Sequence, residues 1–446
     1  MKKKMLKFIL FFVLVFFVVI HSFYLTHLYS YDEIWIYGFG VNILNGLVPY
    51  RDFNMVVGPV FPYLLSIVLG IFGKKLLIYH IVIAIMVVII SYLASKRIGW
   101  YSLLIYVALL VYSINGYNTF TLLILFVLLN LLDKNNKYED IIVAFLVSLM
   151  IFTKQSLILL VIPSLIYSKD RKRTLLVYLT MFLVFLVYFL WNDNLFYYLD
   201  YCWFGMFDFA GKNGLFSPVV VMMEAIIVLI LGSSLVFSRG MRKDIFYVLM
   251  YQVMVMPIFD IYHFVLGFSA FLYVVFKSKN ITMVVKKTLF IVLIIIEVFL
   301  VFTTNSMLTL RYIEYFEHYS EDTFLKGRVV PKVTKDYIHK MDEFIELYPD
   351  SELYIFGAYG YLIKLSLDIP INKFDLINNG NMGYHGEIKY IDEIDSKCLK
   401  EKCLFIVNES ELNCDFYNQT STEILSYVIN NYTKIYSSSV FGVYVN

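Results

Sequence analysis

The first three acidic residues of this 446-residue chain stand close together, and they are of a kind that could do chemistry. Asp32, Glu33 and Asp52 are followed by a long stretch without acidic residues, which ends at Asp133. They lie within YSYDEIWIYGFGVNILNGLVPYRDF at positions 29–53. Converging carboxylates can bind a hard divalent cation, or one of them can serve as a general base. The alternative is a solvated loop whose acidic residues only avoid lipid.

Further polar positions could serve the same site. Lys154 interrupts an apolar run and could pair with a phosphate, or it could be a helix-end lysine that extends to the interface. Asp260 and His263 are one helical turn apart, so both can face one way, and a neutral histidine is a good metal ligand. An ordinary polar turn is the alternative for that pair. Arg51 could contact a phosphate or simply pair with Asp52.

The elements that must position these residues are membrane-spanning helices. The chain is 60% hydrophobic with a mean hydropathy of +0.72, and apolar runs recur through the first 300 residues. This pattern predicts a polytopic α-helical membrane protein. Residues 1–302 carry 24 Lys and Arg against 14 Asp and Glu, whereas residues 303–446 carry 13 against 21. The split predicts a transmembrane domain and an acidic soluble domain, and nothing in it favours nucleic-acid binding.

Basic clusters predict the topology. The clusters at 169–173, 239–243 and 277–287 are two apolar segments apart, which places them on one side of the membrane, the cytoplasm by the positive-inside rule. The N-terminal segment has a basic start and no small-residue cleavage site, so we interpret it as an uncleaved first span with a cytoplasmic N-terminus. The first loop, 25–58, and the tail, 303–446, then lie outside. Further apolar segments lie near 59–73, 76–95, 100–114, 118–132, 141–167, 174–191, 218–237, 244–258, 262–276 and 287–303.

An inside N-terminus and an outside tail require an odd number of spans. A single helix over 141–167 gives eleven spans, with thirteen as the fallback. Splitting 141–167 at its TKQ sequence gives twelve and requires another break. Lys74, Lys75, Lys96 and Arg97 do not fit one side cleanly in this scheme. In the tail, alternating strand and helix patterns predict a small α/β domain. Three cysteines lie there, either free or in part disulfide-bonded: Cys398, Cys403 and Cys414.

The first loop carries a resemblance to a known family. The sequence YDEIWIYGFGVNILNGLVPYRDFNMVVGPVFPYLLSIVLGIFG resembles the first extracytoplasmic loop of the GT-C glycosyltransferases, with its Asp-Glu pair, its G-x-x-PY-x-D element and a proline-bearing helix start. Two groups of bacterial members are the nearest in pattern. One is similar to protein mannosyltransferases that use dolichyl-phosphate-mannose, and the other is similar to aminoarabinose transferases. FLVSLMIFTKQSLILLVIPSLIY is similar to a second family segment, although Ser148 stands where glycine is expected.

The resemblance implies sugar transfer from a polyprenyl-phosphate-linked donor to an extracytoplasmic acceptor, which could be a cell-surface glycan, a lipid or a protein. It also implies an integral protein of the bacterial plasma membrane whose active site faces outside. Asp32 matches the family's catalytic base, and Glu33 supports it. Arg51 and Lys154 are the expected donor-phosphate contacts. Asp52 matches a second acidic position that binds a divalent metal in some members.

His263 is the other candidate metal ligand, and a divalent metal ion is the one cofactor that we expect the enzyme could need. Two other classes of function compete with this interpretation. A transporter or flippase of lipid-linked sugars should have internal repeats and a site near the bilayer midplane. A cell-surface polysaccharide polymerase should have a large outer loop with arginines. The sequence shows no repeat and no arginine in 192–217, so the position of the acidic residues favours the transferase.

Overall fold

The computed structural model describes residues 31–112, 116–132, 138–205, 217–256, 259–303, 316–356, 360–369, 371–375, 377, 381–409, 421–438 and 441–446. The predicted first span and Cys414 lie outside the described residues.

Helices form the part of the chain that precedes the tail. In chain order they are α1 (Tyr31–Leu44), α2 (Val60–Phe72), α3 (Leu76–Ile98), α4 (Ser102–Tyr112), α5 (Gly116–Leu131), α6 (Glu139–Ile151), α7 (Val161–Tyr167), α8 (Arg171–Trp191), α9 (Leu195–Leu199), α10 (Pro218–Phe237), α11 (Arg242–Tyr251), α12 (Ile261–Lys277) and α13 (Met283–Thr303). A 3₁₀ helix, Gln155–Leu160, leads directly into α7, and a π turn, Asp200–Phe204, follows α9.

Three helical segments of the described chain are long and apolar enough to cross a membrane, judged by length and composition. They are Leu76–Leu109, Arg171–Trp191 and Pro218–Phe237. On α8, large apolar side chains such as Phe182 and Val187 are exposed. Such a surface is stable in lipid and costly in water, because each exposed apolar side chain loses the free energy of burial. The chain is therefore an integral membrane protein.

Ion pairs gather at one end of the helices. Glu139, at the start of α6, lies 3.5 Å from the Nζ atoms of both Lys169 and Lys243. Lys277, at the end of α12, pairs with Asp244 at 2.8 Å. The structure thus brings residues from the three predicted basic clusters to one end of the molecule. The tail contacts the opposite end, as the alternation of the helices requires.

The α2 helix corrects the predicted topology, which has a span over 59–73. Its first residues lie at the tail end of the bundle, where the Gly58 amide donates to the Thr153 carbonyl over 3.0 Å. Its last residues also lie there, because Lys75 pairs with Asp322 of the tail at 2.7 Å. The α2 helix therefore starts and ends on the same side of the membrane. This also explains why Lys74 and Lys75 did not fit the predicted topology.

The structure also corrects the prediction of a single helix over the segment 141–167. The sequence interpretation treats it as one helix, but α6 ends at Ile151 and the chain turns at Lys154, whose backbone is extended. The 3₁₀ helix and α7 then fold back against α6. The structure therefore removes the predicted span over 59–73 and divides the segment 141–167 in two, while the total of eleven spans stays a prediction.

The tail contains the small α/β domain that the sequence predicts. Its elements are β1 (Phe316–His318), β2 (Val329–Pro331), α14 (Val333–Leu347), β3 (Glu352–Phe356), α15 (Gly360–Ser366), α16 (Gly386–Cys398), β4 (Cys403–Val407), α17 (Thr422–Asn431), β5 (Thr433–Ser437) and β6 (Gly442–Val445). The first two strands form an antiparallel hairpin, and the other four form a sheet in the order β3-β4-β6-β5. The β3 and β4 strands are parallel. A disulfide bond joins Cys398 to Cys403 and so ties the end of α16 to β4.

Polar contacts dock the tail onto the first loop. The Asn42 side chain donates to the Ile371 carbonyl over 3.3 Å, and the Asn54 side chain donates to the Asn381 carbonyl over 3.1 Å. Both hydrogen bonds are buried, so water is excluded from the surface between loop and tail at these contacts. The tail therefore covers the loop that carries the candidate catalytic residues.

A second docking point lies at Asp200, in the π turn after α9. Its carboxylate accepts a hydrogen bond from the Tyr384 amide over 3.0 Å and pairs with Lys389 at 3.2 Å. Gly383 has a φ of +82°, and a Cβ atom at that position would lie 2.4 Å from the Asp200 carboxylate. Only glycine allows the tail backbone to approach the carboxylate so closely.

Candidate active site between the first loop and the tail

The α1 helix carries Asp32 and Glu33 in its first turn. Apolar side chains on several faces of this helix are buried, namely Ile34, Ile36, Tyr37, Phe39 and Val41. A helix that is apolar all round is buried in the protein, which agrees with α1 lying between the bundle and the tail. Gly40 allows α2 to pack closely, because a Cβ atom there would lie 2.9 Å from Leu65. The backbone of Asp32 is therefore fixed at the tail end of the bundle, although its side chain lies outside the described part of the structure.

Glu33 is buried beside a histidine that the sequence analysis does not single out. Its Oε2 atom lies 3.2 Å from Nε2 of His80, and the two side chains are only 8% and 9% exposed. His80 belongs to the second turn of α3, so the pair joins the first loop to a membrane-spanning helix. A buried carboxylate needs a positively charged or hydrogen-bonding neighbour, because desolvation is costly.

Arg328 supplies positive charge to Glu33 from the tail. It lies just before β2 and is 0% exposed. Burial lowers the pKa of its guanidinium group, and the nearby Glu33 carboxylate acts in the opposite direction. Arginine nevertheless stays protonated in proteins. Glu33 and His80 therefore meet from two distant segments of the chain, and the charge of Arg328 acts on both from the tail. We refer to these three residues as the Glu33 cluster.

The hairpin that carries Arg328 is anchored to the membrane domain next to this cluster. The Leu76 amide, at the start of α3, donates to the Phe324 carbonyl over 2.9 Å. The Phe324 ring stacks on Tyr37 of α1, with the ring centroids 5.4 Å apart. Within the hairpin, the Tyr319 amide donates to the Arg328 carbonyl over 2.9 Å. These contacts fix the backbone of Arg328 against both α1 and α3.

Lys154 and His263 belong to a second buried network at the same end. The Lys154 ammonium group donates to the Met254 carbonyl over 2.9 Å and to Oδ1 of Asn118 over 3.3 Å. The amide nitrogen of Asn118 lies 3.2 Å from Nε2 of His263, whose Nδ1 lies 2.9 Å from the Asp260 carboxylate. Asp260 also caps α12 by accepting from the His263 amide over 2.7 Å. The structure thus brings Lys154 and His263 together through Asn118.

Tyr79 connects the two groups of residues. It precedes His80 on α3, and its hydroxyl accepts a hydrogen bond from the Gly116 amide over 3.0 Å. Asn118 lies two residues further along α5. The Glu33 cluster and the Asn118 network therefore flank the same helix junction at the tail end of the bundle.

Arg51 and Asp52 pair with each other. Nε of Arg51 lies 2.8 Å from Oδ1 of Asp52, and the Val48 amide donates to Oδ2 over 2.7 Å. The hydrogen bond from Arg51 lowers the pKa of the Asp52 carboxyl. The Arg51 side chain is 42% exposed. The described contacts of Asp52 and His263 share no residue, so the structure gives the two candidate metal ligands no common partner. Within the described residues, no group of three or more His, Cys, Asp or Glu side chains is placed to hold a metal ion.

Sequence reasoning missed two residues of this site, His80 and Arg328, and only His80 had a recognisable signal in the sequence. His80 lies inside the apolar run LLIYHIVIAI, and an ionisable residue in such a run is a functional candidate by the same argument that selected Lys154. Arg328 had no comparable signal, because it is one of several basic residues in an acidic soluble domain. Only the folded chain brings its charge to bear on Glu33.

One solved structure resembles this chain along nearly its whole length. It is the crystal structure of ArnT from Cupriavidus metallidurans bound to undecaprenyl phosphate. The likeness has a TM-score of 0.54 at 10% sequence identity and covers 98% of this chain and 97% of ArnT. The chain therefore shares the fold of ArnT. No protein-family model matches the sequence, and no curated protein matches it significantly.

Proposed function

We propose that the chain is a glycosyltransferase that moves a sugar from a polyprenyl-phosphate-linked donor to an extracytoplasmic acceptor. The observation that carries this proposal is the Glu33 cluster, in which a buried carboxylate of the first loop meets His80 of α3 at the tail end of a GT-C-like fold. A buried carboxylate with a cationic neighbour at a membrane interface suits a reaction in which a hydroxyl group loses a proton and a phosphate leaves. The undecaprenyl phosphate in the ArnT crystal structure supports the choice of donor.

In the proposed reaction, Asp32 takes the proton from the acceptor hydroxyl group. The acceptor oxygen then bonds to the anomeric carbon of the sugar, and the bond from that carbon to the phosphate oxygen breaks. The electron pair of the broken bond leaves with the polyprenyl phosphate. Cations near the leaving phosphate stabilise its added charge. Glu33 lies next to Asp32 in sequence and supports it from the buried side.

The remaining predicted roles belong to this proposal as well. Lys154 is half-buried at the tail end of the bundle, where a lipid-linked phosphate would lie, although its ammonium group already donates to Met254 and Asn118. Arg51 is more exposed and pairs with Asp52. A divalent metal held by Asp52 or His263 stays a prediction. The disulfide bond in the tail supports an extracytoplasmic tail, because such bonds persist in oxidising compartments.

The test uses the purified full-length chain in detergent with a panel of undecaprenyl-phosphate sugars. We expect release of undecaprenyl phosphate with at least one donor, and no release from the Asp32→Asn variant. Proteoliposomes separate transfer from transport, since a flippase would move the donor across the bilayer with its sugar still attached. Transport without release of undecaprenyl phosphate would overturn the proposed function.

A further inference from the structure

Four side chains from three separate parts of the chain form a continuous line of hydrogen bonds at the tail end of the bundle. The Lys154 ammonium group lies 3.3 Å from Oδ1 of Asn118, whose Nδ2 lies 3.2 Å from Nε2 of His263. Nδ1 of His263 lies 2.9 Å from both oxygens of the Asp260 carboxylate. These four residues are the Asn118 network, which has a cation at one end and an anion at the other.

The direction of each hydrogen bond in the Asn118 network is fixed from both ends. A lysine ammonium group can only donate, so the amide oxygen of Asn118 faces Lys154 and the amide nitrogen faces His263. A carboxylate can only accept, so Nδ1 of His263 carries a proton and donates it to Asp260. Nε2 is then left to accept from Asn118. The two ends require the same arrangement, in which the imidazole is neutral.

The interior of the network cannot rearrange without loss. A second proton on His263 would point from Nε2 at the amide protons of Asn118. Rotation of the amide would relieve that repulsion, but it would turn the NH₂ group toward the Lys154 ammonium group. Asn118 is 1% and His263 4% exposed, so water does not replace a lost partner, and a buried polar group without a partner is costly. The state of His263 and the direction of Lys154 are therefore linked.

The ends of the network are also held in place. Asp260 caps α12 by accepting from the His263 amide over 2.7 Å, and the Lys154 amide donates to the Met150 carbonyl over 2.8 Å. Two of the three ammonium protons of Lys154 are engaged, by Asn118 and by the Met254 carbonyl. The third has no partner among the described residues. Because the Lys154 side chain is only half-buried, this proton can meet a ligand.

We propose that Asn118, His263 and Asp260 are positioning residues that direct the remaining proton of Lys154 at the phosphate of the polyprenyl-linked donor. The proposal rests on the proposed function, in which Lys154 contacts that phosphate. A lysine side chain is flexible by itself, and an ammonium group that is already fixed loses less entropy when it binds. The proposal competes with the predicted role of His263 as a metal ligand, because a metal ion would have to displace Asn118 or Asp260 from the imidazole.

A double-mutant cycle tests whether His263 acts through Lys154. The probe is undecaprenyl phosphate, and its dissociation constant is measured on the purified full-length protein at temperatures at which each variant is folded. Lys154→Met should weaken binding by at least about tenfold, because a hydrogen bond to a charged group is lost. His263→Leu removes the acceptor that orients Asn118 and should also weaken binding. The double variant should bind no more weakly than Lys154→Met alone, whereas independent effects would add.

Asp260→Asn separates positioning from plain electrostatics. Asparagine is a good N-cap, so α12 should still begin at this position. Removal of a negative charge from the site would by itself tighten the binding of an anion. Positioning predicts the opposite, because one of the two atoms that lie 2.9 Å from Nδ1 of His263 becomes an NH₂ group that faces the ring proton. Asp260→Asn should therefore bind undecaprenyl phosphate more weakly than the wild type.

Ser269→Ala is the matched control on α12. The Ser269 hydroxyl is buried and, in its described contacts, donates only to the Val265 carbonyl over 2.8 Å. This variant should keep wild-type affinity. If His263→Leu does not fold, the cycle is measured with Asp260→Asn in its place. All measurements are repeated with EDTA, which should change no affinity.

Four results would overturn the inference. They are wild-type affinity in Lys154→Met, additive losses in the double variant, tighter binding in Asp260→Asn, and a loss of wild-type affinity in EDTA that His263→Leu reproduces. The last would assign His263 to a metal ion. Each leaves the proposed function intact if the wild-type protein binds undecaprenyl phosphate and releases it from a donor. A wild-type protein that does neither would instead contradict the proposed function.

Discussion

The Nζ atom of Lys75 lies 2.7 Å from Oδ1 of Asp322 and so joins the end of α2 to the tail. Both side chains are partly or largely exposed, so the pair contributes little to stability. The ion pair is informative because it shows on which side of the membrane Lys75 lies. A residue that touches the tail lies on the same side of the membrane as the tail, and the first loop therefore extends to Lys75 instead of ending at residue 58.

This position predicts the outcome of a labelling experiment. A cysteine introduced by Lys75→Cys and a cysteine added after Asn446 should both react with a membrane-impermeant maleimide in intact cells. A Lys243→Cys variant should react only after the membrane is permeabilised, because Lys243 lies at the opposite end with Glu139. Opposite behaviour of positions 75 and 446 would contradict the corrected topology, and labelling of position 243 in intact cells would reverse the orientation.

Asp32 is the residue on which we expect turnover to depend most. Asp32→Asn keeps the size of the side chain and removes the charge that accepts the proton. Since a general base typically contributes ~10²–10⁴-fold to the rate, turnover of an undecaprenyl-phosphate sugar should fall by at least ~10²-fold. Binding of undecaprenyl phosphate should remain.

The control for this variant is Asp336→Asn, which removes an exposed carboxylate from α14 and should leave turnover unchanged. Wild-type turnover in Asp32→Asn would exclude Asp32 as the base. The proposed function would then depend on the Glu33 cluster alone.

Asn118 should be essential for the network that joins Lys154 to His263. Asn118→Leu keeps the branched shape of the side chain but cannot accept from Lys154 or donate to His263, so buried polar groups lose their partners. The expected loss of stability is about 1–3 kcal/mol, measured as a lower thermal transition in detergent.

Asn130→Leu is the control on the same helix, because Asn130 donates only to backbone carbonyls in its described contacts, principally that of Phe126 at 2.9 Å. We expect a smaller loss there. An equal effect of the two substitutions would mean that the Asn118 contacts contribute no more than an ordinary buried amide.

The Cys398–Cys403 disulfide bond should be present in the protein isolated from its host. Under denaturing conditions, two additional thiols should become reactive after reduction. Replacement of both cysteines by serine should lower the stability of the tail by about 2 kcal/mol, since the bond closes only a short loop. Two free thiols at these positions before reduction would contradict an oxidising location of the tail.

Much of the fold follows from properties that the sequence displays directly. The apolar runs, the clustering of basic residues at one end and the α/β pattern of the tail all reflect local composition, and each is found in the structure. The α2 helix was misread because a thirteen-residue apolar helix at the interface resembles a short span in a hydropathy pattern. The turn at Lys154 was treated as the less favoured of two alternatives, because only packing against α6 decides whether the chain continues or turns back.

The candidate site was less predictable, for a physical reason. Glu33 could be selected from its position after an apolar segment, and the structure shows that it is buried. Its neighbour His80 is separated from it by the whole first loop, and Arg328 is contributed by another domain. Such contacts are determined by the tertiary fold, whereas the sequence patterns used here report on neighbours within a few turns of helix or strand.

The action of the Arg328 charge on Glu33 also has a consequence for biosynthesis. The ribosome makes Glu33 almost at the beginning of the chain and Arg328 only after the last membrane helix. A nascent or truncated chain therefore presents the carboxylate without its counter-charge. An incomplete chain lacks this part of the candidate site, and we expect it to consume no lipid-linked sugar until the finished tail has folded onto the first loop.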